Sequence, residues 1–182
     1  MIISLTDAQK IDPNVTQEEL DAYEQMVRQL THNTFQNLNV RYWQLDFEDS
    51  AVTFASNPPS GEPIALRAGD TIQISDSKYN DGLYVIQEVE NKRLALDNPK
   101  LFYTGLYTGA FLTKIEYPAD IRFGVSGLIE FKHKMGSKLG IKSETISRMS
   151  VTYYDINSTD NIEGFPASKF SFLNKYKKMR WG

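Results

Sequence analysis

The chain has no cysteine, only two histidines and no long run of apolar residues. The lack of cysteine excludes disulfide frameworks, thiolate nucleophiles and metal sites built from thiolates. No stretch approaches the roughly 18 consecutive apolar residues of a membrane span. The first residues have neither the basic leader nor the apolar run of a signal peptide. We therefore expect a soluble protein that is made in a cytoplasm.

Net charge is also small, at −3 over 182 residues, which argues against a bulk electrostatic grip on a polyanion. The charges are unevenly placed. Most charged residues in the range 1–30 are acidic, whereas all charged residues in the range 165–182 are basic. Such polarity can drive head-to-tail contacts between copies or steer the two ends to different partners. The alternative interpretation is two solvated faces without a partner.

Side chains that commonly act in catalysis or bind metals are present but not arranged for it. His32 and His133 lie on different predicted helices, without a ligand partner at helical spacing. Ser126 lacks the strand and the glycine spacing of a nucleophile elbow. The acidic clusters at residues 46–49 and 76–81 do not have the spacing of a calcium loop. We predict no enzymatic activity, no cofactor and no metal.

Helical signals stand near both ends of the chain. Thr16 and Glu19 match a capping box, and the apolar residues that follow at spacings of three and four predict a helix over residues 17–34. Pro118 opens a second predicted helix, which runs to about residue 135 and contains two glycines. Pro166 opens a third, with an apolar stripe that includes Phe170 and Leu173.

Between the helices, apolar residues alternate with polar ones and turn residues are frequent. Short strands are predicted at residues 64–67, 71–75, 83–88, 93–97 and 110–115, after a pair of strands near residues 40–45 and 52–55. Residues 141–155 are predicted to be extended. The predicted fold class is α+β: a small helical-bundle core (residues 1–38 and 116–182) with an inserted barrel-like or curled antiparallel sheet (residues 39–115) and an extended C-terminal tail.

The chain ends in a basic and aromatic segment, which we interpret as a docking segment because such side chains often anchor interfaces. Its residues are Lys175, Tyr176, Lys177, Lys178, Met179, Arg180, Trp181 and Gly182. The alternative is that the aromatic residues fold back on their own core while the lysines are solvated.

Several segments together resemble the head-tail connector, or head-completion, proteins of long-tailed phages that infect Gram-positive bacteria. These segments are the acidic capped helix, residues 69–72, 80–84, 117–125, 140–147 and 150–154, and the Lys-Met-Arg-Trp-Gly end. The resemblance implies a structural virion protein that forms a dodecameric ring in the phage neck, between the capsid portal and the tail. It also implies that the C-terminal segment docks on the portal and that a further neck or tail-completion protein binds the opposite side. DNA would pass through the channel without sequence-specific binding.

A ring also needs two complementary surfaces on each copy. We expect these on the two main helices and the extended segment that follows them, at Glu18, Asp21, Arg122, Gly124, Gly127, Ser143, Glu144, Thr145 and Arg148.

Two alternatives stay open. A tail-terminator or another tail protein is the nearest competitor within the virion class. A small DNA-binding module would instead use the basic strip Lys132, His133, Lys134, Lys138 and Lys142 together with the tail.

Overall fold

The protein is described by a computed structural model that covers residues 1–55, 64–97, 100–135, 143–146, 149–152 and 161–179. For residues 143–146 and 149–152 it describes the backbone alone. The chain divides into two compact units. The first consists of Met1 and Thr34–Glu116, and the second of Ile2–Asn33 and Tyr117–Gly182.

The first unit is a closed antiparallel barrel with the strand order β1-β2-β5-β4-β3-β6. The strands are β1 (Gln36–Glu48), β2 (Ala51–Phe54), β3 (Thr71–Ser75), β4 (Gly82–Glu90), β5 (Arg93–Asp97) and β6 (Gly105–Ile115). Strand β1 closes the barrel because its second half pairs with β2 while most of its length pairs with β6. The register shifts next to Gln44, which has a φ of 60°. Such bulges bend a strand enough to let a sheet curl onto itself.

The barrel interior is filled by aliphatic and aromatic side chains from every strand. Phe47, Phe54 and Leu112 are fully buried there, and Tyr42 stacks on Phe54 with ring centroids 4.3 Å apart. Residues that alternate along each strand point inward, which is the period of two seen in the sequence.

The predicted fold class was therefore wrong in its main element. The described residues form a mostly β protein around a closed six-stranded barrel, with three α-helices and one 3₁₀ helix, rather than a helical-bundle core. The barrel-like sheet was correct in part. The strand expected at residues 64–67 does not form: Leu66 is buried in the barrel core, but the N–H of Ala65 donates to the hydroxyl of Tyr42. The long strand β1 closes the barrel.

The second unit contains α1 (Leu5–Gln9), α2 (Gln17–Thr31) and α3 (Ala119–Met135). Its further elements are β7 (Ser143–Ile146), β8 (Met149–Thr152), β9 (Asn161–Ile162), β10 (Phe165–Pro166) and the 3₁₀ helix (Ala167–Tyr176). Helix α2 begins as its cap predicts, since the Thr16 hydroxyl accepts from the N–H of Glu19 at 3.3 Å. It ends three residues earlier than expected, because His32 adopts left-handed backbone angles.

The 3₁₀ helix contacts both α2 and α3. Its buried residues Phe170 and Leu173 are three apart, which matches the three residues per turn of a 3₁₀ helix. Strands β7 and β8 form a two-stranded antiparallel sheet within the stretch predicted to be extended.

Buried polar groups tie α2 to the start of α3. The Tyr117 hydroxyl donates to Glu24 at 2.9 Å, and burial raises the pKa of Tyr117. Burial, helped by the charge of Asp12, raises the pKa of the neighbouring Tyr23 to about 12.

Candidate docking surfaces

The C-terminal segment is held on its own unit as far as Lys178. Asp120, at the start of α3, accepts from the Tyr176 hydroxyl at 2.7 Å and pairs with the Lys175 ammonium at 2.6 Å. The amide of Asn33 donates to the Tyr176 carbonyl at 3.3 Å, and the Lys178 N–H donates to the Thr31 carbonyl at 2.8 Å. We call this set of contacts the C-terminal clamp.

Electrostatics favours the charged form of both partners in the clamp. Pairing with Lys175, followed by the hydrogen bond from Tyr176, holds the pKa of Asp120 below its ordinary value. The same pairing raises the pKa of Lys175. From the sequence, Asp120 was expected only to be a favourable charge at a helix N-terminus. Its partners come from more than 50 residues along the chain and could not be predicted from local spacing.

The clamp divides the predicted docking segment. Lys175 and Tyr176 have partners within the unit, whereas the side chains of Lys177 and Lys178 are exposed and Met179 is 79% exposed. Arg180, Trp181 and Gly182 lie outside the described residues. The inward packing of Tyr176 agrees with the alternative in which the tail folds back, but only up to Lys178.

A second candidate surface lies on the outer side of α3. Phe123 is 82% exposed, and a Cβ built on Gly127, one helical turn further on, would meet nothing within 4 Å. The two residues line a shallow pocket of about 380 Å³, together with Ile11 and His133. Sequence reasoning missed Phe123, although a large apolar residue off the buried stripe of a helix is a usable signal. We call this surface the α3 face.

The predicted subunit-interface residues fall in different environments. Arg122 is exposed on α3, and Glu18 and Asp21 are exposed on α2. Gly124 has a partner within the chain, because a Cβ there would lie 2.5 Å from ring atoms of Phe172. Ser143, Glu144 and Thr145 belong to β7, where only the backbone is described, and Arg148 lies outside the described residues.

A groove along α2 forms the third candidate surface. It has a volume of about 490 Å³ and is lined by Met26, Leu30 and Phe165 together with the charged residues Glu19, Lys132 and Glu163. Phe165 is held against Tyr23, with ring centroids 6.2 Å apart. We call it the α2 groove.

The basic strip that a DNA-binding module would use is largely offset by carboxylates. Lys132 pairs with Glu19, Lys134 pairs with Glu130, and His133 lies 3.2 Å from Asp12. The other two members, Lys138 and Lys142, lie outside the described residues. Each described member therefore has an acidic neighbour, which reduces its attraction for phosphate.

The barrel presents a fixed pair of exposed tyrosines. Tyr79 and Tyr103 are 68% and 63% exposed, and their ring centroids are 5.0 Å apart. The buried side chain of Asn80 fixes the loop, since it donates to the Tyr103 carbonyl and accepts from the Tyr103 N–H, both at 2.9 Å.

Within the described part of the chain, no cluster of three or more His, Asp or Glu side chains is arranged to hold a metal ion. No helix among those residues is long and apolar enough to span a membrane. Comparison of the sequence with protein-family models and with curated proteins found no match.

Proposed function

We propose that the chain is a structural virion protein that forms a ring between the capsid portal and the tail. In this role it completes the head, continues the DNA channel and belongs to the neck of the virion. The dodecameric ring number, the portal and the further neck or tail-completion protein come from the resemblance of its sequence segments to head-tail connector proteins. A tail-terminator or other tail protein would also form a ring, and the identity of the bound partner separates the two.

The observation that carries the proposal is the α3 face. A phenylalanine that is 82% exposed has no benefit in water, and it stands beside the open surface of Gly127. A large aromatic side chain beside open space can anchor a contact with a neighbouring copy. Where the α3 face meets a different surface of that copy, the contact adds copies head to tail and closes into a ring when the rotation between them closes.

The C-terminal clamp supports the docking part of the proposal. It fixes the chain at Lys178 and leaves Met179 exposed, so the following residues start from a fixed point on the surface. An anchored starting point lowers the ordering entropy that a docking segment loses on binding.

The experiment is to mix the purified protein with the cognate portal and to measure the mass and symmetry of any complex by native mass spectrometry and electron microscopy. We expect a closed ring of this protein on one side of the portal. The absence of any complex at micromolar concentrations would contradict the proposal. So would a parallel mixture with tail-tube protein that forms a ring while the mixture with the portal does not.

A further inference from the structure

The α2 groove combines an apolar floor with charged lining residues. Met26 and Leu30 of α2 and Phe165 form the apolar part, Glu19 and Glu163 add two carboxylates, and Lys132, which pairs with Glu19, adds one positive charge. The side chain of Phe165 is fixed on both sides, because it also packs against Phe131 with ring centroids 5.9 Å apart. A groove with fixed walls and apolar floor is suited to an extended or helical peptide segment with a large apolar side chain.

The charge around the groove selects the kind of segment. Glu18 and Asp21 are exposed on the same helix, and Glu163 adds a carboxylate from the turn between β9 and β10. Beyond Glu163 the chain has no acidic residue and five basic ones. The C-terminal segment therefore complements the groove in charge, and Met179 and Trp181 supply large apolar side chains.

Reach limits how much of the groove the same copy's C-terminal segment can fill. The chain is fixed where Lys178 bonds to Thr31, at the C-terminal end of α2. Glu19 lies twelve residues back along that helix, about 18 Å away at 1.5 Å per residue. The Cα of Arg180 stands two residues beyond the fixed point, so it extends only about 7 Å further. The backbone of the same copy's segment therefore starts at the Leu30 end of the groove and falls short of Glu19, whereas a segment from a second copy can enter from either end.

We propose that the α2 groove binds the C-terminal segment, residues 179–182, of a second copy of this chain. The contact joins two different surfaces, so it adds copies head to tail before the portal is bound. The competition with portal docking rests on the proposed function, whereas the binding of the segment does not. The C-terminal segment would then have two alternative receivers, a second copy and the portal. Portal docking would therefore have to displace the copy-to-copy contact.

The first test uses a chain that ends at Lys178, which keeps the clamp, and a fluorescently labelled peptide of residues 177–182. We expect saturable binding in fluorescence anisotropy. In the chain, Ala22→Lys adds a positive charge at an exposed position that lines the groove, and should weaken binding at least about fivefold. The matched control is Ser171→Lys, which adds the same charge at an exposed position of the 3₁₀ helix outside the groove lining and should change binding by less than about twofold.

The second test compares full-length protein with the chain that ends at Lys178 by sedimentation velocity over a range of concentrations. We expect the average mass to rise with concentration for the full-length chain more than for the shortened one. The proposal would be overturned if the peptide did not bind, or if it bound the Ala22→Lys chain as tightly as the chain without that substitution. Peptide binding combined with equal masses for both chains would also overturn it, because the groove would then serve a segment of the same copy. The portal is absent from both tests, so their failure leaves the proposed function standing.

Discussion

Gly124 and Gly127 look alike in the sequence, as two glycines inside one helix, but the structure gives them different surroundings. A Cβ on Gly124 would lie 2.5 Å from the ring of Phe172, whereas one on Gly127 would face open space. From the sequence we expected both glycines on a surface between copies. The sequence could not show that a phenylalanine of the same chain covers one of them, because Phe172 comes from a distant element.

The two glycines give a matched pair of substitutions. We expect Gly124→Ala to lower the free energy of unfolding by about 1–3 kcal/mol, because the new methyl group displaces Phe172. Gly127→Ala should leave it unchanged or raise it by up to about 1 kcal/mol, since alanine favours helix and meets no atom. Urea unfolding followed by circular dichroism measures both. Equal effects at the two positions would show that Phe172 does not cover Gly124.

Asp120 makes the clamp sensitive to pH. Its pKa is lowered in the folded protein, so its contribution to stability is present at neutral pH and is lost as pH falls through that lowered pKa. Asp120→Asn should therefore lower the urea midpoint at pH 7, and its difference from the natural chain should shrink by about pH 3. Asp46→Asn, at an exposed position of β1, is the control and should change little at either pH. A deficit for Asp120→Asn that stays constant between the two pH values would contradict this role.

Among the elements, most strands of the barrel and the start of α2 could be predicted from the sequence, but barrel closure and the extent of the helical part could not. Period-two alternation and turn residues indicated most of the strands, and the capping box indicated the start of α2. Closure of the barrel could not be predicted, because it depends on β1 pairing with both β2 and β6 across a bulge. The helical-bundle core was overestimated in part because the last predicted helix is a 3₁₀ helix rather than an α-helix.

The candidate surfaces were predictable to different degrees. The basic and aromatic C-terminal segment is visible in the composition of the last residues. The clamp, the α3 face and the α2 groove are not, because each depends on residues far apart in the sequence or on which side of a helix is covered. Phe123 is the exception, since its position off the buried stripe of α3 could have marked it.

The barrel has the features of a segment that folds alone. Its two ends are paired with each other, as Gln36 pairs with Ile115 and the N–H of Glu116 donates to the Phe35 carbonyl at 2.9 Å. We expect a protein of residues 34–116 to fold, with dispersed amide resonances and cooperative thermal unfolding. Leu112→Ala in this segment should lower its stability by about 2–5 kcal/mol, because Leu112 is fully buried in the barrel core. Spectra typical of an unfolded chain would show that the barrel needs the rest of the protein.

At the scale of the whole molecule, the α3 face is the proposed contact between copies. Phe123→Ser should leave the stability of the single chain nearly unchanged, because the side chain is already 82% exposed. It should nevertheless reduce the number of copies bound per portal, which mass photometry measures. The matched control is Leu106→Ser, at a position on the barrel that is 62% exposed. The Leu106→Ser chain should bind in the same number of copies per portal as the natural chain. Full occupancy by the Phe123→Ser chain would exclude α3 from the contact.

Portal docking through the C-terminal segment is tested most directly by comparing portal binding of the full-length protein with that of a chain that ends at Lys178. The shortened chain keeps the hydrogen bond from Lys178 to Thr31 and the pairing of Lys175 and Tyr176 with Asp120, so its own fold is preserved. A pull-down on immobilised portal, with the mass of each eluted complex, gives the result. We expect the full-length chain to bind and the shortened chain not to bind. Equal binding by both chains, or binding by neither, would contradict docking through this segment.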